Sequence, residues 1–422
     1  MTSASAVPEE AGLSLEGIRA IEGWMRGYVD AGLLPGALTL VARHGNVALL
    51  QTYGSRDVER GAPVGDDTIF RIYSMTKPVT AVAALILFEE GALGLDDPVA
   101  RSIPSFENLT VDRGVSGDRI DAEPLAREMT VRHLLTHTSG LTYGEGTPGA
   151  ISRLYEQRGT DFGPTDGPLA EIVDRLATIP LLFQPGDAWN YGVSSDVLGR
   201  VIEVAAGMPL DVFMRTRIFE PLGMLDTCFA LPADKLDRFA ALYMPDPGGG
   251  LELIETPASS PHVGDVTTFS GGAGLLSTAT DYLRFAEMLR CGGELEGVRV
   301  LERATVDLMT SNQLPSDLAE MGQASFNETE TNGVGFGFGV SVVVDPTRTA
   351  WRSSLGEYAW GGYASTAFWV DPTNDVTVVF MTQLIPSDRY PIRGELRALV
   401  RDALLPSFAD EAGGPARVRD AT

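Results

Sequence analysis

The chain is poor in lysine and cysteine, and it contains no long apolar segment. Only two of its 32 basic residues are lysines, Lys77 and Lys235, and its only cysteines are Cys228 and Cys291. Two cysteines allow at most one disulfide and do not provide the spacing of a metal finger. The longest apolar run, residues 81–88, has eight residues, which is too short to span a bilayer. We therefore expect no membrane partner.

Positive charge is also scarce. Acidic residues outnumber basic ones by 57 to 32, which gives the 422-residue chain a formal net charge of −25. Because a field of this sign repels phosphate backbones, we expect no nucleic-acid partner. The first ten residues show neither the basic nor the apolar region of a secretory signal, which favours a cytoplasmic protein. The composition does not indicate an oligomeric state.

Hydrophobic patterning divides the chain into a mixed part and a helical part. It predicts helices over 13–32, 75–90 and 392–404, and strands over 37–42, 47–53, 335–345, 348–353, 363–370 and 376–382. Helical patterns dominate between residues 95 and 265. We therefore predict an α+β fold in which residues 1–94 and 266–422 form an antiparallel sheet flanked by helices. Residues 95–265 would be an inserted helical domain, with the active site in the cleft between the two parts.

Ser74-Met75-Thr76-Lys77 is the first candidate for chemistry, at the start of the predicted buried helix. A serine in the first turn lies where the positive end of the helix dipole stabilises a developing oxyanion. A residue three positions later lies on the same face, so Lys77 can reach the Ser74 oxygen. A buried lysine loses its charge readily and can then accept the serine proton, which arginine cannot do. The alternative interpretation of this motif is structural, with Ser74 capping the helix and the Lys77 amine reaching solvent.

An activated serine also needs a second group that handles protons and an oxyanion hole, and two further motifs are candidates for these roles. Tyr191 follows the Pro185-Gly186 turn and precedes a predicted helix, where it can project into a cleft and handle a proton. Trp360-Gly361-Gly362-Tyr363 places paired glycines at the entry to a strand. Glycines let the backbone approach a ligand, and the next N–H can then point at a carbonyl oxygen. Taken alone, the argument for Tyr191 does not outweigh core packing, and the glycine motif favours an ordinary tight turn.

Other patterns do not fit a chemical role. His133 and His137 are four residues apart, but Leu134 stands where a zinc protease has glutamate, and no third ligand is evident. A structural role for His137 in ordering the loop that follows it is therefore favoured. No G-x-S-x-G occurs in the chain, which argues against an α/β-hydrolase. We expect neither a metal nor an organic cofactor.

Together these elements resemble the serine β-lactamase-like superfamily, which includes the penicillin-binding proteins, and more narrowly the family VIII carboxylesterases. The resemblance extends over nearly the whole chain. It rests on Phe70-Arg71-Ile72-Tyr73 before Ser74, on residues 134–141, on the Pro185-Gly186 stretch into Tyr191 and on Trp360-Gly361-Gly362. It implies that Ser74 is the acylated nucleophile and that Lys77 and Tyr191 form the base and proton relay. The backbone N–H groups of Ser74 and Tyr363 would form the oxyanion hole.

The departures from the superfamily pattern indicate the substrate. Where β-lactamases have Y-x-N, this chain has Tyr191-Gly192-Val193, and Trp360 replaces the lysine of the K-T-G motif. Loss of that cation favours a neutral ester over a β-lactam. The expected activity is hydrolysis of short-chain or compact esters through an acyl-enzyme, with a small-molecule ester as the substrate. Tyr143, Trp360, Gly361 and Gly362 would line the substrate site.

Two alternatives remain open at this stage. The first keeps the chemistry and changes the acyl group or the acceptor, as in a β-lactamase, a D-amino-acid peptidase, an amidase or an acyltransferase. Acceptor choice depends on the shape of the cleft, which the sequence does not reveal. The second is a non-catalytic scaffold of the penicillin-binding type. The intact set of Ser74, Lys77 and Tyr191 argues against that alternative.

Overall fold

One eight-stranded antiparallel sheet organises the molecule. The computed structural model describes residues 8–116, 119–144, 149–326 and 329–406. In chain order the strands of the sheet are β1 (Gly36–Arg43), β2 (Asn46–Asp57), β3 (Ala62–Pro63), β4 (Val334–Phe336), β5 (Ser341–Val343), β6 (Tyr358–Gly361), β7 (Ala367–Asp371) and β8 (Val376–Met381). Across the sheet their order is β4-β5-β6-β7-β8-β1-β2-β3.

The centre of the sheet joins the two ends of the chain. Strand β1 pairs with β8 from Leu38 opposite Met381 to Arg43 opposite Val376. All residues of both strands are buried, because each face of the sheet packs against helices. Leu38 and Leu40 face one hydrophobic core, while Ala37 and Val41 face the other, as the period of two in a strand requires.

Helices cover both faces. Their bounds are α1 (Leu15–Asp30), α2 (Thr76–Glu89), α3 (Val131–Leu135), α4 (Ala150–Arg158), α5 (Leu169–Leu176), α6 (Ser194–Ala206), α7 (Leu210–Met214), α8 (Ala279–Arg290), α9 (Arg303–Met309) and α10 (Ile392–Ala403). Helices α1 and α10 pack together on one face, where the Trp24 indole and the Tyr28 hydroxyl both donate to Glu395, over 2.7 and 2.9 Å. Helix α2 is buried on the other face, where α8 packs against β7 and β8.

Shorter elements complete the chain. Two-stranded pairs outside the sheet are Phe70–Arg71 with Leu276–Ser277, Thr110–Ser116 with Arg119–Pro124, Leu242–Pro245 with Leu251–Glu255, Glu294–Leu295 with Val298–Arg299, and Ser325–Phe326 with Thr329–Glu330. Short segments of 3-10 helix cover Tyr73–Met75, Val99–Arg101, Pro104–Asn108, Ala233–Arg238 and Pro257–Ser259. A π-helical turn at Arg215–Phe219 leads into the short α-helix Glu220–Leu222.

The predicted fold class is confirmed, but three of the predicted late strands are wrong in detail. Residues 348–353 form turns and irregular backbone. The single strand expected over 335–345 is two strands, β4 and β5, which are connected by a tight turn and pair with each other. The strand expected to begin at residue 363 begins at Ala367, because residues 363–365 turn and the backbone of Gly362 bonds to Thr366 across the turn. Periodicity did not reveal this turn.

The segment 95–265 is less helical than predicted. It contains helices α3 to α7 and also two hairpins, Thr110–Ser116 with Arg119–Pro124 and Leu242–Pro245 with Leu251–Glu255. The second hairpin bonds to the end of the sheet, since Tyr243 exchanges backbone hydrogen bonds with Gln383 and Ile385. The division into two domains at residues 94 and 266 stays a prediction.

Among the described residues, no helix is both long and apolar enough to cross a membrane. The cytoplasmic location stays a prediction. Cys228 and Cys291 are both free thiols.

Two glycines of α1 test the packing of this helix. An added Cβ at Gly23 meets nothing within 4 Å, whereas at Gly17 it would overlap the Ala403 side chain of α10. Since alanine favours a helix over glycine by about 0.5–1 kcal/mol, Gly23→Ala should raise the free energy of unfolding by that amount in urea titrations. Gly17→Ala should lower it. Equal effects of the two substitutions would contradict the described contact between α1 and α10.

Candidate active site

The serine motif begins in a strained turn. Ser74 lies in the 3-10 turn Tyr73–Met75, which leads directly into α2. Tyr73 has a φ of +43°, a left-handed conformation that is uncommon outside glycine and often found at functional sites. The turn is held by neighbours, since the Tyr282 hydroxyl donates to the Met75 carbonyl over 2.8 Å. The Tyr73 ring also meets the Tyr363 ring edge-on at 5.9 Å.

Two side chains converge on the Ser74 hydroxyl. The Tyr191 hydroxyl donates to Ser74 Oγ over 2.6 Å, and Lys77 Nζ donates to the same oxygen over 3.1 Å. Lys77 is one turn along from Ser74, as the sequence spacing predicted. Tyr191 comes from the loop before α6 and is separated from Ser74 by 117 residues. The structure therefore brings the three predicted catalytic residues together.

Lys77 is buried among neutral acceptors. Its side chain is 1% exposed, and Nζ also lies 2.9 Å from the Gly272 carbonyl oxygen and 3.0 Å from the Tyr143 hydroxyl. The ammonium lies 4.5 Å from the centre of the Tyr191 ring, a favourable cation–π distance. Among the salt bridges of the described residues none involves Lys77, so no carboxylate fixes its charge at contact distance.

A buried carboxylate holds the loop that faces the lysine. Asp196 on α6 accepts hydrogen bonds from Ser270 Oγ and, over 3.0 Å, from the Gly272 N–H. Burial raises the pKa of Asp196, while the charge of Lys77 acts in the opposite direction. The backbone of Gly272 thus lies between the two groups, since its N–H contacts Asp196 and its carbonyl oxygen contacts Lys77. Asp196 was not predicted from the sequence, because nothing in the adjacent residues distinguishes it from a solvent-exposed acid.

Tyr143 lies behind the lysine. Burial raises the pKa of its hydroxyl well above the usual range, so Tyr143 is neutral near pH 7. A neutral hydroxyl accepts a bond from an ammonium and donates one to a free amine, so it can stay bonded to Lys77 in either protonation state. The predicted role of Tyr143 as a wall of the substrate site stays a prediction, since it is not among the residues that line the cavity.

Aromatic rings fix the position of Tyr191. Its ring lies 5.1 Å from His137, 5.5 Å from Trp360 and 4.9 Å from Phe326, centre to centre. His137 is fully buried, and burial together with the charge of Lys77 holds its pKa well below the usual range. His137 is therefore a neutral packing partner, and its backbone carbonyl accepts from the Asn190 N–H over 2.9 Å. No cluster of metal-ligating side chains occurs in the described ranges.

The glycine motif lies opposite the serine. Gly361 ends β6, and Gly362 and Tyr363 form the turn into β7. A Cβ at Gly362 would overlap the Ile72 carbonyl oxygen and Thr366 Oγ1. Only glycine lets these backbones approach so closely. This contact places the turn beside the serine motif, with Ser74 and Tyr363 both lining the same cavity.

The cavity has a volume of about 140 Å³. Trp360, Gly361 and Gly362 line it beside Ser74 and Tyr191, and their role in substrate binding stays a prediction. Three further residues of the lining were not predicted from the sequence: Phe326 and two arginines of α10, Arg393 and Arg397. The Phe326 ring stacks on Trp360, with 5.4 Å between the ring centres and 21° between the planes. No local motif marks these three residues, because they enter the site from distant parts of the chain.

Comparison with known proteins identifies the family. A family model described as Beta-lactamase matches residues 21–402. The chain belongs to the beta-lactamase family. It is 38% identical to Protein Rv1367c of Mycobacterium tuberculosis over 86% of this chain and 89% of that one. It is 35% identical to Esterase EstB of Burkholderia gladioli, over 88% of this chain and 91% of the esterase.

A solved structure shares the fold. EstCE1, described as a hydrolase with promiscuous acyltransferase activity, superposes with a TM-score of 0.78 at 30% identity. The match covers 93% of this chain and 99% of EstCE1. These relatives confirm that the chain is a member of the serine β-lactamase-like superfamily with esterases among its relatives.

The contact between Gly362 and Ile72 gives a prediction. Gly362→Ala should push the turn away from the serine motif and lower the rate at which an alkyl fluorophosphonate labels the protein by about 10²-fold, the value of one oxyanion donor. The matched control is Gly394→Ala in α10, where an added Cβ meets nothing within 4 Å. If Gly362→Ala folds and is labelled at the wild-type rate, the result would contradict a role for the contact between Gly362 and Ile72 in the reactivity of the serine.

Proposed function

We propose that the protein is a serine carboxylesterase of the family VIII type that hydrolyses compact, neutral esters through an acyl-enzyme. The observation that carries the proposal is the position of Ser74 Oγ, 2.6 Å from the Tyr191 hydroxyl and 3.1 Å from Lys77 Nζ, at the wall of a cavity. The 35% identity with Esterase EstB supports the esterase class.

The geometry suggests how the reaction runs. Ser74 Oγ attacks the ester carbonyl carbon as its proton passes to the Tyr191 and Lys77 pair. The carbonyl oxygen becomes an oxyanion that the N–H groups of Ser74 and Tyr363 stabilise. When the C–O bond breaks, the same pair returns the proton to the leaving alcohol. Water then repeats these steps on the acyl-enzyme, which releases the acid and restores Ser74.

The walls of the cavity favour an ester without charge. Trp360, Phe326 and Leu318 present apolar surface beside Ser74. The two arginines that line the cavity bond to protein groups. Arg397 donates to Glu357 over 3.1 Å, and Arg393 donates to the Gly362 carbonyl over 3.0 Å. Glu357 therefore balances the charge of Arg397, and the apolar walls beside Ser74 favour neutral substrates.

Acyl transfer to an alcohol is the second candidate. The description of EstCE1 as a hydrolase with promiscuous acyltransferase activity favours it. We expect that adding a primary alcohol during hydrolysis of a nitrophenyl ester diverts part of the acyl group into a new ester, measured by chromatography. Nitrophenol release and acid formation that stay equal at every alcohol concentration would exclude transfer.

The first test concerns the nucleophile. Wild-type protein should hydrolyse p-nitrophenyl butyrate, and Ser74→Ala should reduce the rate to the uncatalysed background, because the attacking oxygen is lost. A chromogenic cephalosporin should be turned over slowly or not at all. Ester hydrolysis that persists in Ser74→Ala would rule out the proposed nucleophile, and fast cephalosporin turnover would favour a β-lactamase.

The second test uses the two lysines of the chain. Lys77→Arg keeps the positive charge but removes a group that can give up its proton, so kcat/KM should fall by about 10²–10⁴, the range for general acid–base catalysis. Lys235→Arg is the matched control. Lys235 pairs with Asp226 at 2.7 Å outside the cavity, and arginine can replace it there. Retained activity in Lys77→Arg would contradict the relay.

A further inference from the structure

Arg393 lines the cavity beside the glycine motif and bonds to it. It lies in the first turn of α10, on an element remote from the three sequence motifs. Its Nη2 donates to the Gly362 carbonyl oxygen over 3.0 Å and approaches the Thr366 carbonyl oxygen at 3.4 Å. Both carbonyls belong to the turn between β6 and β7, and the Gly362 N–H already donates to Thr366 over 2.9 Å. The guanidinium therefore fixes this turn at two points.

One of these carbonyls shares a peptide group with the proposed oxyanion donor. The C=O of Gly362 and the N–H of Tyr363 are the two ends of a single planar amide. A cation bonded to the oxygen withdraws electron density through the amide resonance, and bonds at the two ends of such a group strengthen each other. Charge-assisted bonds are also the stronger and better oriented ones. Arg393 thus fixes the orientation of the Tyr363 N–H and makes it a stronger hydrogen-bond donor.

The geometry points to Arg393 as a positioning residue that orients and polarises the Gly362–Tyr363 peptide for oxyanion stabilisation. The inference rests on the proposed esterase function and deepens it, since it assigns a role to a residue outside the serine, lysine, tyrosine and glycine motifs. Arg393 acts through the peptide, so the oxyanion itself is bound by the Tyr363 N–H.

The glycine at 361 supports this assignment. An added Cβ at Gly361 would lie 2.7–2.8 Å from three guanidinium atoms of Arg393, closer than real Cβ contacts allow. Gly361 thus makes room for the arginine, while Gly362 makes room for the Ile72 carbonyl oxygen. The two adjacent glycines therefore leave room for different neighbours. Because Gly361 and Arg393 are in contact, the effects of substituting them should not add in a double-mutant cycle.

A second role for Arg393 must be distinguished by experiment. Because Arg393 also lines the cavity, its charge could instead hold an anionic group of the substrate. That role would affect anionic esters alone and would act mainly on KM. Polarisation of the peptide would affect every ester alike, and its effect would appear in the acylation rate and in the affinity for tetrahedral mimics.

The experiment compares Arg393→Met with the wild type. The probes are p-nitrophenyl butyrate, the anionic hemisuccinate ester of p-nitrophenol, and phenylboronic acid, which forms a tetrahedral adduct with a serine hydroxyl. Arg393→Met should lower kcat/KM about tenfold for both esters, less than the roughly 10²–10³-fold loss of a whole oxyanion donor. The Ki of phenylboronic acid should rise by the same factor. Arg393→Lys should recover part of the loss.

The matched control is Arg389→Met, at an exposed arginine of the segment before α10 that does not line the cavity. It should keep wild-type kinetics and so exclude a general effect of lost charge. Gly361→Ala provides a variant that keeps Arg393, should Arg393→Met fail to fold. Gly361→Ala should cause a similar loss, and the double variant should lose little more than either single one.

Three results would overturn the inference. They are a loss confined to the hemisuccinate ester, an unchanged Ki for phenylboronic acid, and additive losses in the double variant. If the wild type hydrolyses esters through Ser74 and Arg393→Met equals it, the inference fails while the esterase function stands. If ester hydrolysis persists in Ser74→Ala, both fail together.

Discussion

The close approach of Gly362 to the Ile72 carbonyl oxygen is the contact on which the site depends. Ile72 precedes the nucleophile in the layer of helices, whereas Gly362 follows β6 in the sheet, so this contact joins the two layers at the cavity. An oxyanion hole built from two distant segments needs its two N–H groups fixed to within a fraction of an ångström. A side chain at position 362 would overlap Ile72 and separate the layers. Backbone packing therefore sets the geometry of the proposed oxyanion hole.

A second constraint is the burial of a cation. Taking an ammonium out of water is unfavourable unless other groups replace its hydration, and Lys77 obtains that replacement from Ser74, Tyr143 and the Gly272 carbonyl. All three are neutral acceptors, so they also tolerate a neutral amine. A carboxylate in contact with Nζ would hold the proton on the lysine and weaken it as a base. Asp196 contacts the Gly272 N–H, one peptide removed from the amine.

The sequence predicted what local spacing can encode. Ser74 and Lys77 are three residues apart on one helix, so their contact follows from helical geometry alone. Local features made Tyr191 and the glycine motif candidates only, and the resemblance assigned their roles, because no local rule brings residue 191 to residue 74. The strand predicted at 348–353 was wrong, since a short alternating pattern occurs in turns as readily as in strands. Asp196, Phe326 and Arg393 could not be predicted, because their positions depend on how distant elements pack.

The same geometry bears on the balance between hydrolysis and transfer. In the proposed mechanism, the acceptor that attacks the acyl-enzyme gives its proton to the groups that protonated the leaving alcohol, since the two half-reactions pass through equivalent transition states. It must therefore occupy the place the alcohol vacated, next to the Tyr191 hydroxyl. The rings of Phe326, Trp360 and His137 pack around Tyr191, and Tyr191 also lines the cavity, so an acceptor in the cavity can reach that hydroxyl. A site built to expel an alcohol can thus also admit one, and the walls of the cavity decide whether an alcohol competes with water.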